Sequence, residues 1–391
     1  MAKRSGERPV LIAGGGIGGL ALGIALARRE IGATVLERSS FTEESGAGIQ
    51  LGPNATRMLR ELGLLPAIEA HAFRPEALWL FDGLSGRKLA TMPLGRAIED
   101  RYGAPYLTLH RADLHGALLH ACRDETSIEL KPRFEVTDVE ERDMTIAARA
   151  AAGTAAAGSV LIGADGLWST VRARVAPHTA PRFAGHTAWR TLLPRAPLPS
   201  PFDAPVVGLW LGSGAHLVHY PVRDGKELNL VAVVEGGSAE RGWGRPGDAA
   251  VLRAAFARWA KAPQSLLDAA EAWRLWSLYR LPVLRRWSAG RITLLGDAAH
   301  PVLPFLAQGA ALAIEDAVTL AANLAESGGN PSLAFAHYED LRAKRARAVQ
   351  RLSLRMGRLY HLGALGRIAR NAVLQRRAPA RLLSGFDWLY R

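Results

Sequence analysis

Apolar residues in this chain fall first into short unbroken runs closed by glycine. Val10–Ala13 is the first, and the glycines at 14, 15, 16, 18 and 19 close it. A run of that length bounded by turn residues predicts a strand buried on both faces of a parallel sheet. Residues 20–29 then predict a helix, and Ala33–Leu36 is a second apolar run that ends on Glu37. The chain therefore opens on a βαβ unit.

Further on, residues 78–81, 89–92 and 106–109 read as strands, and 111–123 as a helix with Asp113 in its first turn. Residues 128–148 hold several strands and turns. The Ala/Gly-rich stretch 150–158 reads as a hairpin loop, and 159–163 is another buried strand. Four strand-like segments follow, at 187–193, 206–211, 216–222 and 228–234, and they predict an antiparallel sheet that forms most of a second domain. A helix is expected over 249–259 and a buried strand over 292–295. A long Ala/Leu helix is expected over 308–325, and helix again from Pro331 to near the end.

A chain of 391 residues is too long for one ordinary core and implies two closely packed domains. Its 49% hydrophobic and 22% charged residues are a globular composition. The single cysteine, Cys122, allows no internal disulfide and suits a reducing cytoplasm. Residues 1–9 lack the apolar core of a secretory signal. No apolar run approaches the ~20 residues of a membrane-spanning helix.

The net charge of +13 suggests a nucleic-acid partner until it is located along the chain. Residues 341–391 carry thirteen Lys plus Arg against one acid, Asp387, a net of +12 that leaves about +1 for residues 1–340. The segment interleaves these charges with Leu352, Leu354, Leu359 and Leu362, which reads as the solvated face of packed helices rather than a nucleic-acid surface.

The chemistry lies in three segments. Gly14, Gly16 and Gly19 satisfy G-x-G-x-x-G between a strand and a helix, with Gly18 beside them. Such glycines permit a tight turn and close approach of backbone to a pyrophosphate, which the helix N-terminus then meets with free N–H groups. Glu37 stands where a carboxylate accepts ribose hydroxyls, so the segment binds a dinucleotide. The other two segments are Leu161-Ile162-Gly163-Ala164-Asp165-Gly166 and Leu295-Gly296-Asp297-Ala298-Ala299-His300-Pro301, the latter running into the long helix.

In this order and at these separations the three segments resemble the class A flavoprotein aromatic hydroxylases, relatives of para-hydroxybenzoate, salicylate and 3-hydroxybenzoate hydroxylases. The resemblance extends over nearly the whole chain. It includes Gly46 to Asn54, His110-Arg111-Ala112-Asp113-Leu114, Ala188-Trp189-Arg190 and Trp388-Leu389-Tyr390.

The resemblance implies an α/β fold: a Rossmann-like FAD-binding domain on a parallel sheet, interleaved with an antiparallel-sheet substrate domain and followed by C-terminal helices. The expected boundaries are 1–75, 100–180 and 285–330 for the FAD domain, 76–99 and 181–284 for the substrate domain, and 331–391 for the helices. It implies non-covalent FAD, with Glu37 at the adenosine ribose, Arg38 beside the adenine, Gln50 and Arg111 along the cofactor, and Asp297 at the ribityl chain. Asp165 and Gly166 belong to a segment linked to both FAD and the nicotinamide cofactor.

Pro304, Gly309 and Ala310 lead into the long helix. Its N-terminal N–H groups would favour negative charge on a reduced flavin ring. His300 is read as structural. Strand alternation puts His216 and Tyr220 on one face and His219 on the other. The resemblance sets His216 and Tyr220 over the flavin, where a histidine accepts a phenol proton. Some 3-hydroxybenzoate hydroxylases carry a glutamine at the position of Pro304, and this chain departs from them there.

The expected reaction uses NADH or NADPH and O2 to hydroxylate a small aromatic, hydroxybenzoate-like compound through a flavin C4a-hydroperoxide. The alternative is another FAD oxidoreductase of the same fold, such as an epoxidase, an oxidative decarboxylase or a natural-product hydroxylase. A homodimer is the expected assembly, with no metal and no nucleic acid.

Overall fold

The structure is a computed structural model. It describes residues 8–41, 47–151, 153–196, 198–242 and 244–391. Gly46 of the Gly46–Asn54 motif lies outside the described residues.

The first apolar runs form the centre of a six-stranded sheet. Its order is Ser288–Ala289, Ile292–Leu294, Leu161–Gly163, Val10–Ala13, Ala33–Leu36 and Ile128–Lys131. All pairings are parallel except the edge hairpin formed by the first two strands. Both faces of this sheet are covered, which is why its central strands are buried at every position. The helix after the first strand runs Ile17–Ala27, three residues earlier than expected, because the third glycine of the loop, Gly16, is already its N-cap.

Two glycines explain that turn. Gly14 has φ +107°, and a Cβ there would lie 2.4 Å from the carbonyl oxygen of Ala164. A Cβ on Gly19 would lie 1.9 Å from the carbonyl oxygen of Gly14, so only glycine lets the helix seat on its strand.

The second sheet has eight strands in the order Arg245–Gly247, Trp273–Arg280, Arg182–Pro194, Glu227–Glu235, Ala215–Val222, Val206–Gly212, Ala77–Asp82 and Lys88–Pro93. It is antiparallel apart from the Val206–Gly212 and Ala77–Asp82 pair. One face packs on a tryptophan-rich core that includes Trp189, Trp210, Trp259 and Trp273. The other carries His216 and Tyr220 toward the first sheet.

Two expectations need correction. Residues 155–158 are a strand, paired with Thr145–Ala150, and the connection between them is only residues 151–154. Small alanines with alternate burial serve a ladder as well as a loop. The helix expected over 249–259 splits into Ala249–Ala255 and Lys261–Asp268. It breaks because Trp259 turns inward over Gly83 and Gly212, where a Cβ would lie 2.4 and 2.3 Å from its ring. Trp273–Arg280 forms a strand, and Pro53–Glu61 and Gly95–Tyr102 form helices, where no regular element was expected. The expected C-terminal helices are four, the longest being Pro331–Tyr360.

The basic C-terminal segment folds back on the body. Arg342 and Arg345 pair with buried Glu315, Arg342 also with Asp316, and Arg367 with Asp82. Arg370 is buried and donates to the carbonyls of Leu359 and Tyr360. Three of these arginines are thus met by acids distant in the chain.

Candidate active site

A cavity of about 390 Å³ runs between the two sheets. At one end Gly16 and Gly18 present the N-terminus of the Ile17–Ala27 helix, which has no side-chain cap. A Cβ on Gly16 would meet nothing within 4 Å, so this glycine faces open space rather than packing. Gly18 differs: its Cβ would lie 2.6 Å from Leu295, and it serves contact with the neighbouring helix.

Along the cavity lie Gln50, Arg111, Gly166 and Asp297. Gln50 accepts a hydrogen bond from the Tyr106 hydroxyl at 2.7 Å. The Asp297 side chain opens onto the cavity yet is enclosed by protein on its other sides. Burial raises its pKa, against the lowering effect of His300 and Arg111. A carboxyl so placed is suited to ligand hydroxyls rather than to a protein cation.

At the far end, Pro304 starts a 3-10 turn that ends at Leu306. Ala307 takes a left-handed conformation at φ 52°. The chain then turns into the 18-residue helix Gly309–Glu326, whose N-terminus carries no side-chain cap. Gly309 and Ala310 line the cavity there, so the positive end of the helix dipole faces it. Asn54 braces this end by donating to Gln308 Oε1 at 3.0 Å and Glu315 Oε1 at 2.5 Å.

The opposite wall is the second sheet. His216 and Tyr220 both line the cavity, four residues apart on one face of the Ala215–Val222 strand. His219 points into the other side, against Phe202 and Trp210. Burial pushes the Tyr220 hydroxyl up to about 12, so it remains a phenol at neutral pH. Burial, reinforced by His361 and His186, holds His216 well below its ordinary value, so it is a neutral imidazole with a lone pair to offer.

Other expected site residues lie outside this wall. Gly14 and Gly19 shape the turn. The Glu37 carboxylate accepts from the Gly15 N–H at 2.6 Å and the Ser39 N–H at 2.8 Å. Arg38 lies in an adjoining depression with Trp168, Arg172 and Arg241. Asp165 caps the following turn, accepting from the N–H groups of Thr170 and Val171 at 2.8 and 3.1 Å, while its other oxygen is buried without a partner. His300 is buried, 2.6 Å from Asp316 Oδ2, and stacks near Trp287. That position is structural, as expected.

Sequence reasoning did not single out Trp168, Arg190, Trp276 and Tyr279 as lining residues. The Ala188-Trp189-Arg190 motif was the one available signal. Arg190 sits 5.1 Å over the Trp276 ring, and burial lowers its pKa. It is a cation in the wall beside Tyr220.

These features fit FAD. An uncapped helix N-terminus with an open glycine suits its pyrophosphate, a carboxyl facing the cavity suits its ribityl hydroxyls, and a second helix N-terminus suits a ring that gains negative charge.

The comparisons with known proteins point to the same cofactor. The FAD binding domain family matches residues 7–353. The chain is 37% identical over 382 residues to a 3-hydroxybenzoate 6-hydroxylase of Aquipseudomonas alcaligenes, covering 97% of each chain. It is 38% identical over 397 residues to a 3-amino-4-hydroxybenzoate 2-monooxygenase of Streptomyces platensis, covering 100% of this chain and 98% of that one. The fold matches that of HpxO from Klebsiella pneumoniae, solved with FAD and uric acid, with a TM-score of 0.87 and 26% identity, over 98% of this chain and 96% of that one. The chain belongs to the FAD-binding domain family and, within it, to the class A flavoprotein aromatic hydroxylases.

Proposed function

We propose that this enzyme hydroxylates a single-ring aromatic acid bearing a phenolic hydroxyl, in the manner of a hydroxybenzoate hydroxylase, with NADH or NADPH and O2 as co-substrates in the cytoplasm. The observation that carries this reading is His216 and Tyr220 on one strand face, across the cavity from the Gly309–Glu326 helix N-terminus. FAD, when bound, supplies the electrons and the activated oxygen. Gly16, Asp297, Gly309 and Ala310 hold it. His216 takes the phenol proton, which makes the ring electron-rich at the carbons to be oxidised. Tyr220, as a neutral phenol, orients the same hydroxyl. Arg190 supplies the cation for a carboxylate. The apolar wall of Val218, Val231 and Leu303 keeps water from the reacting carbon.

The relatives that act on 3-hydroxybenzoate and 3-amino-4-hydroxybenzoate support this substrate class. The test is a panel of hydroxybenzoates, aminohydroxybenzoates and hydroxypyridine acids. Stimulated NAD(P)H and O2 consumption with a hydroxylated product is the expected result. Stimulation by none of them overturns the substrate class. His216→Ala is expected to keep FAD and its reduction by NAD(P)H, to slow hydroxylation about 10²–10⁴-fold, and to divert oxygen to hydrogen peroxide. Wild-type rate and full coupling in that variant would refute the role. A homodimer is the proposed assembly, read by light scattering.

A further inference from the structure

His216 is one end of a chain of hydrogen bonds that leaves the cavity. Its Nδ1 lies 2.7 Å from His361 Nε2, in a fully buried contact. The other ring nitrogen of His361, Nδ1, lies 3.1 Å from Glu235 Oε1. The Glu235 side chain is 53% exposed, whereas that of His361 is 1% exposed. Three side chains thus link the cavity wall to solvent.

Three separate elements build the chain. His216 begins the Ala215–Val222 strand, and Glu235 ends the neighbouring Glu227–Glu235 strand, with Ala215 opposite Val234. His361 caps the C-terminus of the Pro331–Tyr360 helix, and its carbonyl accepts from the Gly214 N–H at 3.2 Å. That last bond pins the helix end to the residue preceding the strand.

The direction of every proton follows from Glu235. A carboxylate only accepts, so His361 carries its proton on Nδ1, and its Nε2 is the acceptor. His216 must then donate from Nδ1. Its Nε2 is left with the lone pair and has no hydrogen-bond partner among the described residues. The exposed acid therefore presets the buried base in the tautomer that can take a proton from the cavity.

We propose that His361 and Glu235 are positioning residues that set the tautomer of His216 and carry the substrate's phenolic proton to solvent. The proposal rests on the reading of His216 given above. In the forward step the phenol O–H bond breaks and an N–H bond forms at His216 Nε2. The His216 Nδ1 proton passes to His361 Nε2, the His361 Nδ1 proton passes to Glu235, and the resulting carboxylic acid releases a proton to water. Both rings end neutral, in the opposite tautomer. When product leaves as a neutral phenol, it takes the proton on His216 Nε2, and the same chain refills in reverse.

The route removes a difficulty. Burial lowers the proton affinity of His216, and burial likewise holds His361 at about 4 despite the opposing pull of Glu235. An isolated His216 would have to hold a phenol proton as a buried imidazolium. Along the chain neither ring needs to keep a second proton. The surrounding groups are His186, whose ring centroid is 5.3 Å from that of His361, with Tyr360, Phe305 and Arg370. His186 Nε2 lies 4.0 Å from Glu235 Oε1 and so faces the same carboxylate.

The test needs no turnover. Oxidised, FAD-loaded enzyme is mixed with 3-hydroxybenzoate or 3-amino-4-hydroxybenzoate in weak buffer. Phenolate absorbance and an indicator dye then follow ligand ionisation and proton release. His361→Asn is expected to slow both by about tenfold or more, with FAD content and the affinity for unsubstituted benzoate unchanged. Glu235→Gln, at an exposed position, is expected to shift the pH dependence of ionisation and to regain speed as buffer concentration rises. If His361→Asn fails to fold, Glu235→Gln alone decides. Wild-type ionisation rates and pH profile in the folded variants would overturn the relay. If wild-type enzyme itself does not ionise either phenol, the reading of His216 fails instead.

Discussion

Arg342 and Asp316 lie 2.7 Å apart with both side chains buried, joining the basic C-terminal helix to the helix that closes the cavity. Asp316 also accepts from the Gly296 N–H at 3.1 Å, in the loop that carries Asp297. The pair therefore holds the Asp297 loop from behind.

Removing one partner leaves the other charged and buried. Arg342→Ala is expected to cost about 3–5 kcal/mol in denaturant unfolding and to lower FAD retention. Burial by itself raises Asp316, but His300 and Arg342 outweigh it and bring it to about 2. Its folded pKa lies below its unfolded value of ~3.9. The stabilisation is therefore present above about pH 4 and is lost as pH falls toward 2. The variant should show a shallower acid limb in a pH–stability titration. An unchanged limb would mean that Arg342 does not set the Asp316 charge.

Two glycines of one loop should behave oppositely. A Cβ on Gly16 would meet nothing within 4 Å, so Gly16→Val should leave the apoprotein's unfolding midpoint nearly unchanged while sharply reducing FAD binding. Gly19→Ala meets the Gly14 carbonyl and should destabilise the apoprotein itself. Calorimetry of apoprotein with flavin fluorescence separates the two. Loss of fold in Gly16→Val would show that this glycine serves packing.

His219 is buried with neither ring nitrogen partnered, and burial, with Arg195 adding to it, lowers its pKa to about 3. Because its folded value is depressed below the unfolded ~6.5, its neutral form favours the fold above that pH. That contribution is lost as pH falls from ~6.5 toward 3. His219→Leu should raise stability near pH 5 by about 1 kcal/mol, since an apolar side chain leaves no unsatisfied polar atom. Hydroxylation per NAD(P)H should not change. A fall in coupling would place His219 in the reaction after all.

Arg342, Arg345, Arg347 and Arg367 bond to groups outside the C-terminal segment, and its apolar side chains pack on the body, so binding to duplex DNA at ~150 mM salt should be weaker than ~1 μM. Fluorescence anisotropy with a labelled oligonucleotide measures it. Sub-micromolar binding at that salt would contradict the structural role.

Local sequence determined what acts within a few residues. The glycines at 14 and 19 demand a backbone that only glycine adopts or fits. The two Gly-Asp segments place loops at strand ends, and strand alternation alone puts His216 and Tyr220 on one face. The tertiary structure decided what depends on distant partners. Trp259 breaks a helical stretch because Gly83 and Gly212 leave room for its ring. Residues 155–158 are a strand because a neighbouring strand offers its hydrogen bonds. Part of the +12 of residues 341–391, at Arg342, Arg345 and Arg367, is met by Glu315, Asp316 and Asp82. His361 stands 145 residues from His216, and no spacing or motif connects them. They meet only because a helix C-terminus docks at the start of a strand, and side-chain hydrogen bonds, effective within about 3 Å, exist only after that packing has formed.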